Sequence, residues 1–128
     1  MGTGGRVLVV DDDEGMREAL KNLLDAAGFQ SAAYASAEAL LADGALDCAL
    51  CVISDIRLPA MSGFDLVTAL RARGVCTPVI AITAHDEPGV RSEAERHGAV
   101  TYLAKPFHGS ALLAAIESVA KAASGAAP

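Results

Sequence analysis

Basic residues are scarce in this sequence: ten Lys and Arg stand against sixteen Asp and Glu, leaving a formal charge of −6 and a pI near 4.9. Proteins hold phosphate backbones with clustered cations, and these ten are scattered along the chain, so no direct nucleic-acid binding is expected. Long apolar runs are also lacking. The stretch from Cys48 to Ile53 falls far short of a membrane span, and Val7 to Val10 is too short for the core of a signal peptide. No membrane association and a cytoplasmic location are therefore expected. Cysteines number only three, which suits a reducing compartment better than a disulfide framework. Cys48 and Cys51 have the C-x-x-C spacing of redox and metal sites, but their surroundings read as a buried strand, where residues three apart point to opposite faces. Ordinary core cysteines are expected there.

What is present is an alternation of strand and helix patterns. The 128 residues, 52% hydrophobic and 20% charged, suit one globular domain. Apolar runs predict strands at residues 6–10, 30–34, 48–54, 78–82 and 100–103. Between them, Met16, Ala19, Leu20, Leu23, Leu24 and Ala27 follow helical spacing, with Gly28 placed to end that helix. Ser36 is an N-cap for a short helix over 37–42, followed by Gly44. Phe64, Val67 and Leu70 face inward from a helix over 62–73. Ser110 is expected to cap a last helix with Leu112, Leu113, Ile116 and Val119 inward. The segment 87–97 has only a thin apolar stripe, Val90 and Ala94.

Five such units with short connections imply a parallel sheet, because its crossovers are right-handed and lay helices on it. The expected fold is α/β and doubly wound: a five-stranded parallel sheet in the flavodoxin-like order 2-1-3-4-5, with helices on both faces. The domain is expected over 1–121, with 122–128 an Ala/Gly/Ser-rich tail or the start of a linker.

Polar residues then fall at strand ends: Asp11, Asp12 and Asp13 after the first, Asp55 after the third, Thr83 at the fourth and Lys105 at the fifth. Open α/β sheets bind ligands at these carboxyl ends, and in that strand order the four strands are consecutive, so the side chains converge on one cleft. Three crowded carboxylates need a cation to stay ionised together. All-oxygen donors suit Mg2+, with Mn2+ as a substitute, rather than zinc. Lys105 can neutralise a phosphoryl oxygen while the Thr83 hydroxyl donates to another, a site shaped for phosphoryl transfer to a carboxylate, with Asp55 the natural acceptor. Asp13 and Glu14 read instead as helix N-terminal charges. His85, His97 and His108 lack ligand spacing, although His85 lies close to where a hydrolytic water would enter.

At these residues the chain resembles the response-regulator receiver domains of two-component systems, from about Arg6 to Lys121. Val9-Val10-Asp11-Asp12 looks like the family's acidic pair, and the segment from Asp55 to Gly63 looks like its D-x-x-[LM]-P-x-x-[SD]-G loop. Thr83-Ala84 and Lys105-Pro106-Phe107 complete the set. The resemblance implies direct Mg2+ ligation by Asp12 and Asp55, ligation by Asp11 through water, and a further ligand in the Arg57 backbone carbonyl. It also implies a cis Lys105–Pro106 peptide, a switch aromatic at Tyr102, and a sensor histidine kinase as phosphodonor. Such a domain catalyses only its own phosphorylation and dephosphorylation. The wording around Ser36 to Leu41 and Ile82 to His85 is similar to FixJ/NarL-type regulators. Their helix four, strand five and helix five form the face that pairs two activated receivers, implying a phosphorylation-dependent homodimer. Two other readings stand beside this one. Asp11-x-Asp13 after a strand resembles the nucleophile motif of haloacid-dehalogenase-type phosphatases, which would put the acyl phosphate on Asp11. A phosphate-independent interaction domain of the same fold would not bind Mg2+.

Overall fold

The computed structural model describes residues 6–43, 49–58, 60–84, 89–97 and 101–125, with side chains described as far as residue 120. The elements are β1 (Arg6–Val10), α1 (Glu14–Ala26), β2 (Ser31–Tyr34), α2 (Ala37–Ala42), β3 (Ala49–Asp55), α3 (Gly63–Ala72), β4 (Val79–Thr83), α4 (Val90–Arg96), β5 (Thr101–Ala104) and α5 (Gly109–Gly125). All strand pairs are parallel and the order is β2-β1-β3-β4-β5. The fold is thus the doubly wound one expected.

The two-residue period of a strand sorts the central side chains between two cores. Val7, Val9, Cys51, Ile53, Ile80 and Ile82 pack with Leu20 and Leu24 of α1 and Leu112, Ile116 and Val119 of α5. Leu8, Val10, Val52 and Val79 pack on the other face with Leu40 of α2 and Leu66, Val67 and Leu70 of α3. A smaller cluster of Ile56, Ala81, Ala94 and Tyr102 seats α4. No helix among the described residues is long and apolar enough to cross a membrane.

Local chemistry explains the boundaries. Ser36 accepts from the Ala39 amide, and Ser62 makes a reciprocal capping box with Asp65. Gly28 ends α1 in the left-handed region at φ 89, where an L side chain would be strained. Several expectations need correction. Ser110 does not cap α5: the His108 carbonyl already accepts from the Ala111 and Leu112 amides, so the helix starts at Gly109 and Ser110 is exposed in its first turn. Ala19 and Ala27 are exposed, because the sheet takes only the centre of the α1 apolar stripe, Leu20 and Leu24. Within the segment 87–97 the fourth helix spans Val90–Arg96. It begins after Gly89, whose φ of 88 is left-handed and which offers no side-chain cap. Strand four runs through Thr83 and strand three through Asp55, so both residues are part of the sheet. Gly44, Cys48, His85 and Val100 lie outside the described residues. Helical backbone continues past Lys121 to Gly125.

Candidate functional site

The carboxyl end of β1 delivers Asp11, fully buried, and Asp12, exposed. Strand β3, hydrogen-bonded beside β1 with Val10 opposite Ser54, delivers Asp55, which is 7% exposed. One carboxylate oxygen each from Asp11, Asp12 and Asp55 lies within 4.8 Å of the others. Strand β4 places Thr83 one step beyond Ile82, the register partner of Asp55, with Thr83 1% exposed. Strand β5 pairs Ala104 with Thr83, and the Lys105 amide donates to the Thr83 carbonyl at 2.6 Å. That pairing aims the next side chain at the carboxylates: Lys105 Nζ stands 3.0 Å from Asp55 Oδ2 and 3.1 Å from Asp11 Oδ2.

Each acid is further fixed by backbone donors. The Asp13 amide donates to Asp11 Oδ1 at 2.9 Å, and the Arg57 amide donates to Asp55 Oδ1 at 2.9 Å. Burial is the largest influence on Asp11 and pushes its carboxyl above the usual value, against the opposing pull of the Asp13 amide and Lys105. Burial works the other way on Lys105, but the hydrogen bonds and charges of Asp55 and Asp11 outweigh it and raise the ammonium. Three carboxylates and one lysine make a site of net negative charge with only oxygen donors facing each other. A hard divalent cation fits that donor set. The acidic cluster is one that can hold a metal.

Other expected residues sit nearby or apart. Asp13 is the N-cap of α1, its carboxylate accepting from the Gly15 amide, and Glu14 begins the helix. The Lys105–Pro106 peptide is cis. Tyr102 is buried in the α4 cluster rather than in the acidic cleft. His97 stacks on Phe64 with ring centroids 4.9 Å apart, and His108 is exposed.

Two side-chain contacts, of Arg17 and of Arg91, escape a reading of the sequence, and so does the physical reason for the glycine that closes the Asp55–Gly63 motif. Arg17 Nη1 donates to the Asp11 carbonyl at 2.8 Å, bracing the turn between β1 and α1; an arginine in the first turn of a helix otherwise reads as surface. Gly63 approaches the Asp55 backbone too closely for any Cβ. Arg91 lies over the Tyr102 ring. Beside Lys105 an apolar cleft of about 590 Å³ is lined by Met16, Ala19, Leu20, Leu23, Pro106 and Phe107, among others.

Comparison with known proteins gives concordant matches. The family model described as the response regulator receiver domain matches residues 7–117. The transcriptional regulatory protein FixJ of Bradyrhizobium diazoefficiens is 38% identical over 128 residues, covering 99% of this chain and 62% of that protein. Response regulator protein FleR of Pseudomonas aeruginosa is 42% identical over 108 residues, covering 84% of this chain and 23% of that one. This chain therefore spans less than two thirds of either relative. Among solved structures, FixJ-N superposes with a TM-score of 0.82 at 34% identity, over 91% of this chain and 94% of that one. The chemotaxis protein CheY4 of Vibrio cholerae gives 0.83 at 31% identity, over 90% and 98%.

Proposed function

The chain belongs to the response regulator receiver family, and we propose that, as the receiver domain of a two-component response regulator, it accepts a phosphoryl group on Asp55 from a sensor histidine kinase. The observation that carries this reading is the Lys105 ammonium held between Asp55 and Asp11 at 3.0 and 3.1 Å, beside the Asp12 carboxylate. An Asp55 carboxylate oxygen attacks phosphorus, the P–N bond to the donor imidazole breaks, and the nitrogen leaves with that electron pair. The Arg57 amide holds the Asp55 carboxylate in a fixed orientation, so the nucleophile arrives without reorganisation. Lys105 then pairs with a phosphoryl oxygen in place of the Asp55 carboxylate, and the Thr83 hydroxyl donates to another.

Mg2+, or Mn2+ in its place, suits the oxygen donors, with Asp12 and Asp55 as direct ligands, Asp11 through water and the Arg57 carbonyl as a further ligand. Bound there, it would offset the charge that builds on the transferred group. Once Asp55 is modified, the pull on Thr83 favours the packing in which Tyr102 is buried, and the face made of α4, β5 and α5 shifts towards that packing to control an output domain or partner. The apolar cleft beside Lys105 offers a kinase helix a place to rest next to the acceptor.

The test uses a small acyl phosphodonor such as acetyl phosphate with Mg2+. Mass spectrometry should find one hydroxylamine-sensitive phosphoryl group, and Asp55→Asn should remove it. A label that persists at wild-type level in that variant, on Asp11 or elsewhere, overturns the assignment.

A further inference from the structure

The smallest of the three clusters contains a contact that the phosphoryl chemistry does not use. Tyr102 is 5% exposed and packs with Ile56, Ala81 and Ala94. Over its ring lies the Arg91 guanidinium, its central carbon 4.8 Å from the ring centroid, within the range of a cation–π interaction. Arg91 is itself exposed and belongs to the first turn of α4. That helix is weakly anchored: it has seven residues, no side-chain cap, and only Ala94 buried. Beneath it a cleft of about 490 Å³, lined by Ile56, Phe64, Thr83, Val90 and Glu93 among others, leaves room for Thr83 and the helix start to shift. In a helix with so little burial, one stacked cation is a large share of what fixes it.

We infer that Arg91 is a positioning residue for the switch: its guanidinium retains the Tyr102 ring in the buried position and ties that ring to the start of α4. This rests on the reading of Tyr102 as a switch aromatic and adds to it what sets the resting balance. The ring cannot leave the cluster towards solvent while the guanidinium covers it, so the ring and the first turn of α4 move together. Removing the cation frees both. Buried-ring molecules, whose packing accompanies an occupied Asp55, then become rarer.

The chain contains two tyrosines, Tyr34 and Tyr102, so incorporated 3-fluorotyrosine gives two fluorine resonances that Tyr102→Phe assigns. Fluorine relaxation by a soluble gadolinium complex reads the exposure of each ring. Arg91→Ala should raise the exposure of Tyr102 and leave Tyr34 unchanged, while Arg91→Lys, which keeps a cation, should retain most of the protection. A second arm titrates beryllofluoride, a phosphoryl mimic, in the presence of Mg2+. Arg91→Ala should raise the half-saturating concentration about two- to five-fold, the worth of an exposed cation–π contact. In a Tyr102→Leu background the same substitution should have no effect. Unchanged ring exposure in Arg91→Ala, or an equal effect with and without the tyrosine, overturns the inference. A wild type that ignores beryllofluoride would instead defeat the Asp55 reading, and the ring-exposure arm would still decide the role of Arg91.

Discussion

Gly63 opens α3 where a side chain has no space: a Cβ there would lie 2.5 Å from the Asp55 carbonyl oxygen and 2.9 Å from the Ile56 Cα. Both neighbours are backbone, and neither can rotate away. The Gly63 amide also donates to the Ile56 carbonyl, so the start of α3 is clamped against the strand end that carries the acceptor. Gly63→Ala should therefore lose about 2 kcal/mol, because contacts this short with backbone put the overpacking near the top of its range of about 1–3 kcal/mol, against an alanine gain of about 0.5–1 in a helix. Gly109→Ala is the contrast. Its Cβ would meet a Leu23 methyl at 3.0 Å, the flexible end of a side chain, so a change within about 0.5 kcal/mol is expected. Urea midpoints compare the two, and similar losses would mean that the clamp at Asp55 has no special cost. Cys51 shows the same influence of surroundings. Burial removes it from solvent and pushes its thiol up to about 12, so its position in a C-x-x-C pattern does not make it reactive.

At the scale of the element, the three consecutive acids after β1 divide their work by geometry. Asp11 points into the cleft, Asp12 stands at its exposed rim, and Asp13 turns back to cap α1. Loss of an N-cap costs about 1 kcal/mol, so Asp13→Ala should lower the denaturation midpoint and change Mg2+ affinity little. Asp12→Ala should do the reverse, weakening Mg2+ binding strongly at nearly unchanged stability. Metal titration beside denaturation checks the pair; equal losses of affinity would reduce the cluster to a general electrostatic effect. The cap at Ser36 is legible in the sequence because a serine just ahead of an apolar stripe acts through its own backbone neighbourhood, whereas Ser62, expected as the first residue of its helix, is that helix's N-cap. Ser110 shows where that rule fails. The chain leaving the cis peptide at Lys105–Pro106 already enters helical hydrogen bonding at His108, so the serine arrives too late to cap. The start of α4 is equally hidden, since a left-handed glycine rather than a polar side chain precedes it.

For the whole molecule, the switch should be read as association. A chain with a formal charge of −6 repels its own copies over distances set by salt, so any pairing must come from a specific face. The face of α4, β5 and α5 is the proposed one, because its weakest part, α4, sits directly on Tyr102. With Mg2+ and beryllofluoride, self-association should tighten by about 5- to 150-fold, the usual coupling of about 1–3 kcal/mol between linked sites. Sedimentation with and without the mimic, beside Asp55→Asn, measures it. Activated protein that remains monomeric at high concentration would remove the proposed interface while leaving the acceptor untouched, whereas an equal response in the variant would mean that Asp55 does not drive the association.

The alternation of apolar runs with helical stripes was enough, by itself, to imply five parallel strands, their helices and the strand ends bearing Asp11, Asp12, Asp55, Thr83 and Lys105. Periodicity and short connections are local properties, and right-handed crossovers turn them into one topology. The motifs also carried the family resemblance, for the same residues recur in the same order along the chain. Distances were different. That Lys105 reaches both Asp11 and Asp55 depends on the register that sets Thr83 opposite Ala104 and Asp55 opposite Ile82. That Ala19 and Ala27 stay exposed depends on how wide a stripe the sheet accepts. Gly63 is marked in the sequence as the last residue of a motif, but the backbone it meets at Asp55 is not, and Arg91 over Tyr102 is a contact between separate elements with no mark in the local pattern. Only packing decides them, because a side chain far along the chain supplies the neighbour that gives each residue its role.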